Sequence, residues 1–139
     1  MFLYEIGALT YFDKINEFNR AIEWREVLDS WAKDNNIKVF NPVITWLKEK
    51  NHTYSDKMIV DQNDYYINRA NIAVASLDSI DYSPGSIYEL ARFKELKKPV
   101  IAFGVPHWSP HINSCISQRV DTIDDVIELL INEFHQGNF

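Results

Sequence analysis

A chain of 139 residues makes one domain, since domains run to roughly 100–200 residues each, and leaves little room for a second. It is 46% hydrophobic and 24% charged, which excludes a disordered chain and promises a core. With 14 Lys plus Arg against 20 Asp plus Glu, the formal charge of −6 speaks against nucleic acid or an anionic membrane as partner, because both need a basic surface. No apolar run approaches the roughly 20 residues that span a bilayer, no N-terminal stretch resembles a signal peptide, and the single Cys115 cannot close an internal disulfide. A cytoplasmic protein that handles small molecules is expected. Aromatic residues make up 14% of the chain, and several, among them Tyr11, Trp46, Tyr54, Tyr82 and Trp108, sit in polar, nonperiodic contexts.

Met1 to Ile6 is a short apolar segment ended by Gly7 and Ala8, the pattern of a buried strand. From Lys14 to Lys33, Ile15, Phe18, Ile22, Trp24, Val27, Leu28 and Trp31 fall at spacings that predict an amphipathic helix. Ile37 to Phe40 predicts a second strand, closed by Asn41 and Pro42, and Val43 to Tyr54, with Trp46 and His52, reads as a long connection of the kind that is often functional. Ser55 or Asp56 caps a helix to about Arg69. Asn71 to Leu77 has the continuous apolar character of a central parallel strand. Ser83-Pro84-Gly85-Ser86 opens a helix with Ile87, Leu90 and Ala91 on one face and lysines at its end. Val100 to Phe103 is a strand, Arg119 to Asp121 a short fifth one, and Thr122 caps a last helix carrying Ile123, Val126, Ile127 and Leu130.

Strands alternating with helices imply a three-layer α/β domain over residues 1–139, with about five parallel strands, flavodoxin-like or Rossmann-like. Such sheets bind ligands beyond the carboxyl ends of their strands, so the loops after Ile6, Phe40, Leu77 and Phe103 are expected to line one pocket.

The glycine-rich signatures of dinucleotide and P-loop sites are absent, and no cofactor is expected. His107 and His111 have helical ligand spacing, but Pro110 between them breaks the pattern, so no metal site is expected either. Cys115 has no histidine beside it to act as a base and reads as incidental. The start of the Ser83–Glu89 segment is more informative. Free N–H groups there, with the hydroxyls of Ser83 and Ser86, suit an anion or a sugar hydroxyl, and Gly85 allows close approach to the backbone. Glu89 leans back toward the same helix start, where it is expected to be ionised and able to act as a nucleophile. Equally, Ser83 is a plain cap and Glu89 a solvated carboxylate.

The ordered set of motifs resembles the nucleoside 2-deoxyribosyltransferase family. Tyr4-Glu5-Ile6-Gly7-Ala8 is similar to its Y-L-A-G-P opening, followed by Trp24-Arg25 and Val39-Phe40-Asn41-Pro42. Asn63 to Asp78, with Ile67, Asn71 and the VASLD ending, is similar to the family's next helix and strand. Gly85-Ser86-Ile87-Tyr88-Glu89, then Lys98-Pro99-Val100-Ile101, resembles its G-T-x-x-E-x-G and K-P-V-I signatures. The resemblance implies that Glu89 attacks C1′ of a (deoxy)nucleoside, that Tyr4 contacts Glu89 and the sugar, and that Gly7, Trp24, Asn63, Ser83, Gly85 and Ser86 surround the substrate. It also implies that Asn113 of a neighbouring subunit reaches the 5′ side of the sugar, which makes a homo-oligomer with shared sites. The implied partners are a nucleoside or nucleotide and a nucleobase.

Three departures qualify this pattern. Ser83 replaces an aspartate, as in the branch that hydrolyses nucleoside 5′-monophosphates. Asn63 falls where an acid assists the leaving base, with Asp61 and Asp64 beside it, and Asp64 is the candidate for that role. Ala91 replaces a glycine. Other residues keep two readings: Trp24 as core or pocket wall, Arg25 as a solvated residue or partner of a carboxylate under the site, and Trp46 and Tyr54 as base-stacking or loop-pinning. Ser109, Ser114 and Ser117 are phosphate contacts or plain loop residues. A transferase, a 5′-monophosphate N-glycosidase and a noncatalytic nucleotide sensor are the functions to be separated.

Overall fold

The structure, a computed structural model, describes residues 1–51 and 53–134; His52 lies outside the described residues. Five parallel strands, β1 (Phe2–Ile6), β2 (Lys38–Phe40), β3 (Ile72–Ser76), β4 (Val100–Phe103) and β5 (Gln118–Val120), form one sheet in the order β2-β1-β3-β4-β5. This is the flavodoxin-like order, and its reversal point lies between β1 and β3. Leu3 of β1 registers with Ile72 and Ile6 with Ala75, so the two strands run on together to the end where β1 gives way to Gly7.

Seven helices cover the sheet among the described residues: α1 (Thr10–Lys14), α2 (Asn19–Asp34), α3 (Val43–Lys50), α4 (Asp56–Arg69), α5 (Pro84–Glu95), α6 (Pro110–Asn113) and α7 (Ile123–Leu129). The period-2 alternation of the strands sorts the core into two layers. Leu3, Ile72, Val74 and Ile101 pack with Leu28 of α2 and with Val126 and Leu130 at the α7 end. Tyr4, Ile6, Ala73, Ala75 and Ala102 pack with Ile67 of α4 and with Leu90 and Phe93 of α5. Alanines on that second face leave room for the Tyr4 and Phe93 rings against the sheet. Caps behave as the sequence predicts: the Ser55 side chain accepts from the Met58 N–H, and Thr122 and Asp125 form a capping box at α7.

Four expectations need correction. The helix predicted from Lys14 begins only at Asn19, as α2, because the chain turns through Asn16 at φ 59°, a conformation asparagine tolerates, and Lys14 ends the separate helix α1. The long connection after Pro42 is mostly helix α3, started by Asn41, whose Oδ1 accepts from the Val43 N–H at 3.0 Å. Ile87 is exposed, and α5 buries Ser86, Glu89, Leu90 and Phe93 instead. The fifth strand begins one residue earlier than predicted, at Gln118. No helix among the described residues is long and apolar enough to cross a membrane.

Candidate active site

A cavity of about 310 Å³ opens at the β1/β3 reversal point, at the small end of the roughly 300–1,000 Å³ typical of small-molecule sites. Gly7 and Glu89 lie at its base. Asp56, Ile59, Val60 and Asn63, at i, i+3, i+4 and i+7, give it one face of α4, and Thr45 and Trp46 of α3 line it with Pro42 just before that helix. Tyr11, Tyr82 and the start of α5 complete the rim. Three of the four loops predicted to meet do so. The loop after β4 takes no part in the lining, because it sits beyond β3 from the reversal point.

Glu89 sits in the second turn of α5 and faces β1, which leaves it 8% exposed. The Tyr4 hydroxyl donates to its Oε2, while the Tyr4 ring is fixed between Phe40 and Phe93 at centroid distances of 5.3 and 5.6 Å. Burial pushes Glu89 up to about 7, against the Tyr4 hydrogen bond and the Arg25 charge, which pull it down; Asp64 adds a small upward push. The fully ionised Glu89 expected from the sequence is therefore corrected: desolvation outweighs the helix start, and the carboxyl is about half ionised at neutral pH. The solvated alternative fails for the same reason. Tyr4 is raised well above its ordinary value by burial and by the adjacent Glu89 charge, so it keeps its proton and stays a donor.

At the start of α5 the Ser83 Oγ accepts from the Ser86 N–H at 3.4 Å and lies 2.7 Å from the Ser86 Oγ. A Cβ on Gly85 would meet no atom within 4 Å, so that stretch of backbone faces open space in the cavity. The aromatic rim is self-supporting: Tyr11 stacks on Tyr82 at 4.4 Å, and Trp46 stacks on Phe18 at 4.8 Å while its Nε1 donates to the Thr10 hydroxyl. Trp46 thus both pins its helix and lines the cavity. Asp56 and Glu89 are the carboxyl side chains in the lining, and no lysine or arginine among the described residues lines it.

Gly7, Asn63, Ser83, Gly85, Ser86 and Glu89 line the cavity, with Tyr4 directly behind Glu89. Trp24 and Asn113 do not line it: Trp24 packs in the α2 face of the core, and Asn113 is exposed in α6, donating to the His107 carbonyl. Asp64 does not line the cavity, and both its oxygens accept at 3.0 Å from the hydroxyl of Tyr88, which does. Tyr54 is not in the lining either. Sequence reasoning missed Asp56, Ile59 and Val60 as lining residues, although their single-face spacing with Asn63 was there to find. Among the described residues no group of three or more His, Cys, Asp or Glu side chains could hold a metal ion. His107 pairs instead with Asp81, and the Cys115 thiol donates to the His111 carbonyl at 3.4 Å.

No family model matches the chain, and no curated protein matches it in sequence. Solved structures do share its fold. A 2-deoxyribosyltransferase from the psychrotolerant bacterium Bacillus psychrosaccharolyticus, described as a biocatalyst for nucleoside synthesis, is similar with a TM-score of 0.63 and 17% identity, covering 91% of this chain and 90% of that one. A conserved protein from Enterococcus faecalis is similar with a TM-score of 0.66 and 17% identity, covering 92% of this chain and 95% of that one.

Proposed function

We propose that the chain is a nucleoside 2-deoxyribosyltransferase-like enzyme that cleaves the N-glycosidic bond of a (deoxy)nucleoside and passes the sugar to another nucleobase. The observation that carries this reading is the Tyr4-held Glu89 carboxyl at the base of a cavity of about 310 Å³ at the sheet's reversal point. Glu89 Oε2 accepts the hydrogen bond from the Tyr4 hydroxyl, which leaves Oε1 to attack C1′. The C1′–N bond breaks, its electron pair goes to the base nitrogen, which takes up a proton from solvent, and a glycosyl ester forms on Glu89. A second base then attacks C1′ through nitrogen and loses its N–H proton to solvent, and the carboxylate departs. The shared fold of the Bacillus 2-deoxyribosyltransferase supports the same reading.

Asn63, not an acid, lines the cavity from α4, so the leaving base meets an amide there, and Asp64 is occupied with Tyr88. The absence of a cation among the described lining residues favours a nucleoside over its 5′-monophosphate. Hydrolysis of a 5′-monophosphate is the second reading, supported by the Ser83 and Ser86 hydroxyls at the start of α5. The exposed Asn113, outside its own chain's cavity, supports a second subunit as donor of a 5′ contact.

Incubation with deoxynucleosides and their 5′-monophosphates, with and without a second free base, separates these readings. Base exchange is expected from nucleosides, and Glu89→Ala should abolish it. Base loss confined to monophosphates identifies the hydrolase, and nucleotide binding without any base release identifies a sensor.

A further inference from the structure

Of the two readings the sequence leaves for Arg25, burial overturns the solvated one, and no direct ion pair among the described residues closes the other. Arg25 is 1% exposed on α2, sealed beneath the cavity floor. Its Nη1 donates to the Ala21 carbonyl at 2.7 Å and its Nη2 to the Gly7 carbonyl at 3.2 Å, and the guanidinium lies 4.5 Å from the Trp24 ring centroid. Nε meets no acceptor, and no ion pair among the described residues includes Arg25. A buried guanidinium held only by neutral carbonyls is unfavourable, and its field in so dry a place is weakly screened.

Carboxyls of the described residues stand near Arg25 without closing an ion pair on it. Glu5 on β1 is fully buried and neither of its oxygens has a hydrogen-bond partner, so it persists there as a neutral acid. Burial first, then Asp29, pushes Glu5 up to about 10. Asp29, one turn after Arg25, accepts from the Asn41 amide at 3.1 Å. The groups facing Arg25 are thus Glu5 and Tyr4 of β1, Asp29 of its own helix and Glu89 of α5, and those facing Glu89 are Tyr4, Arg25 and Asp64 of α4.

We propose that Arg25 is a positioning residue whose buried charge, fixed against the Gly7 carbonyl at the end of β1, favours the Glu89 carboxylate both as it attacks and as it departs from the glycosyl ester. This inference rests on the nucleophilic role of Glu89, and its test reads the two apart. The Glu89 carboxyl is titrated by ¹³C NMR in the wild type, Arg25→Gln, Arg25→Lys and Glu5→Gln, alongside the pH profile of base release. Arg25→Gln should move the Glu89 midpoint, and with it the acid limb of activity, up by about one pH unit or more. Arg25→Lys, which keeps the charge, should restore most of that shift. Glu5→Gln should leave the midpoint in place, because Glu5 is already neutral. An unmoved midpoint in folded Arg25→Gln overturns the inference. If Arg25→Gln does not fold, a midpoint in Arg25→Lys raised by a full unit overturns it. Midpoints that shift as expected in a protein that releases no base leave the coupling of Arg25 to Glu89 standing and sink the reaction.

Discussion

Replacing Tyr4 by Phe tests the Glu89 site most directly, because it removes one oxygen and little else. The ring contacts with Phe40 and Phe93 at 5.3 and 5.6 Å survive in phenylalanine, so the core on that face stays filled. What is lost is the hydroxyl that donates to Glu89 Oε2. A hydrogen bond to a charged group contributes about 1.5–3 kcal/mol, equivalent to about one to two pKa units. The sign follows from which form the hydroxyl stabilises: it favours the carboxylate, so its loss moves Glu89 upward from about 7. At pH 7 the ionised fraction then falls from about one half to between about one tenth and one hundredth, a loss of about 5- to 50-fold in base release. Activity should recover toward the wild-type rate as the pH is raised past the new midpoint. The assay is chromatographic release of free base between pH 5 and 10. An acid limb that stays where the wild type has it, whether the variant is fully active or uniformly slow, would refute the reasoning.

Two further outcomes concern stability. Glu5 has an ordinary value of 4.5 and is held near 10 in the folded chain, so the folded state binds the extra proton and stability is lost as pH rises through that window, by up to about 1.4 kcal/mol per unit. Glu5→Gln removes this titration, and its thermal midpoint should vary less with pH than that of the wild type and lie above it at pH 9. Gly7→Ala places a methyl 3.1 Å from Trp24 Cζ2 and 3.3 Å from Arg25 Nη2, and because Arg25 is tied to two carbonyls it cannot swing aside. A loss of about 1–3 kcal/mol is expected in denaturant unfolding, and an unchanged midpoint would show that the floor of the cavity yields.

The parts of the fold that were legible in the sequence are those whose hydrophobic pattern agrees with their burial. β1, β3 and β4 are apolar runs buried on both faces, and the Ser83 and Thr122 caps stand where hydroxyl residues precede periodic segments. α3 escaped because its pattern is inverted: Ile44 and Leu47 are exposed while Thr45 is buried. α5 shows the same conflict, with Ile87 outside and Glu89 inside. Order of motifs drew attention to Glu89 and Tyr4, but not to the electrostatics, because burial is a tertiary property that no spacing encodes. Asp64 shows the angular limit of such readings. Successive helical residues differ by about 100° in direction, so the neighbour of a lining residue points elsewhere, and here Asn63 holds the lining position. Glu5 and Arg25 look like ordinary charged residues in the sequence, and only the fold closes over them.

The two outer strands, β2 and β5, are three residues each. Both carry a solvent-facing cation, Lys38 on one and Arg119 on the other. Short margins with a charge on them are poor templates for another chain's backbone, so they oppose sheet-to-sheet extension and the aggregation that follows from it. Any self-association of this chain is thereby directed away from a continuous intermolecular sheet.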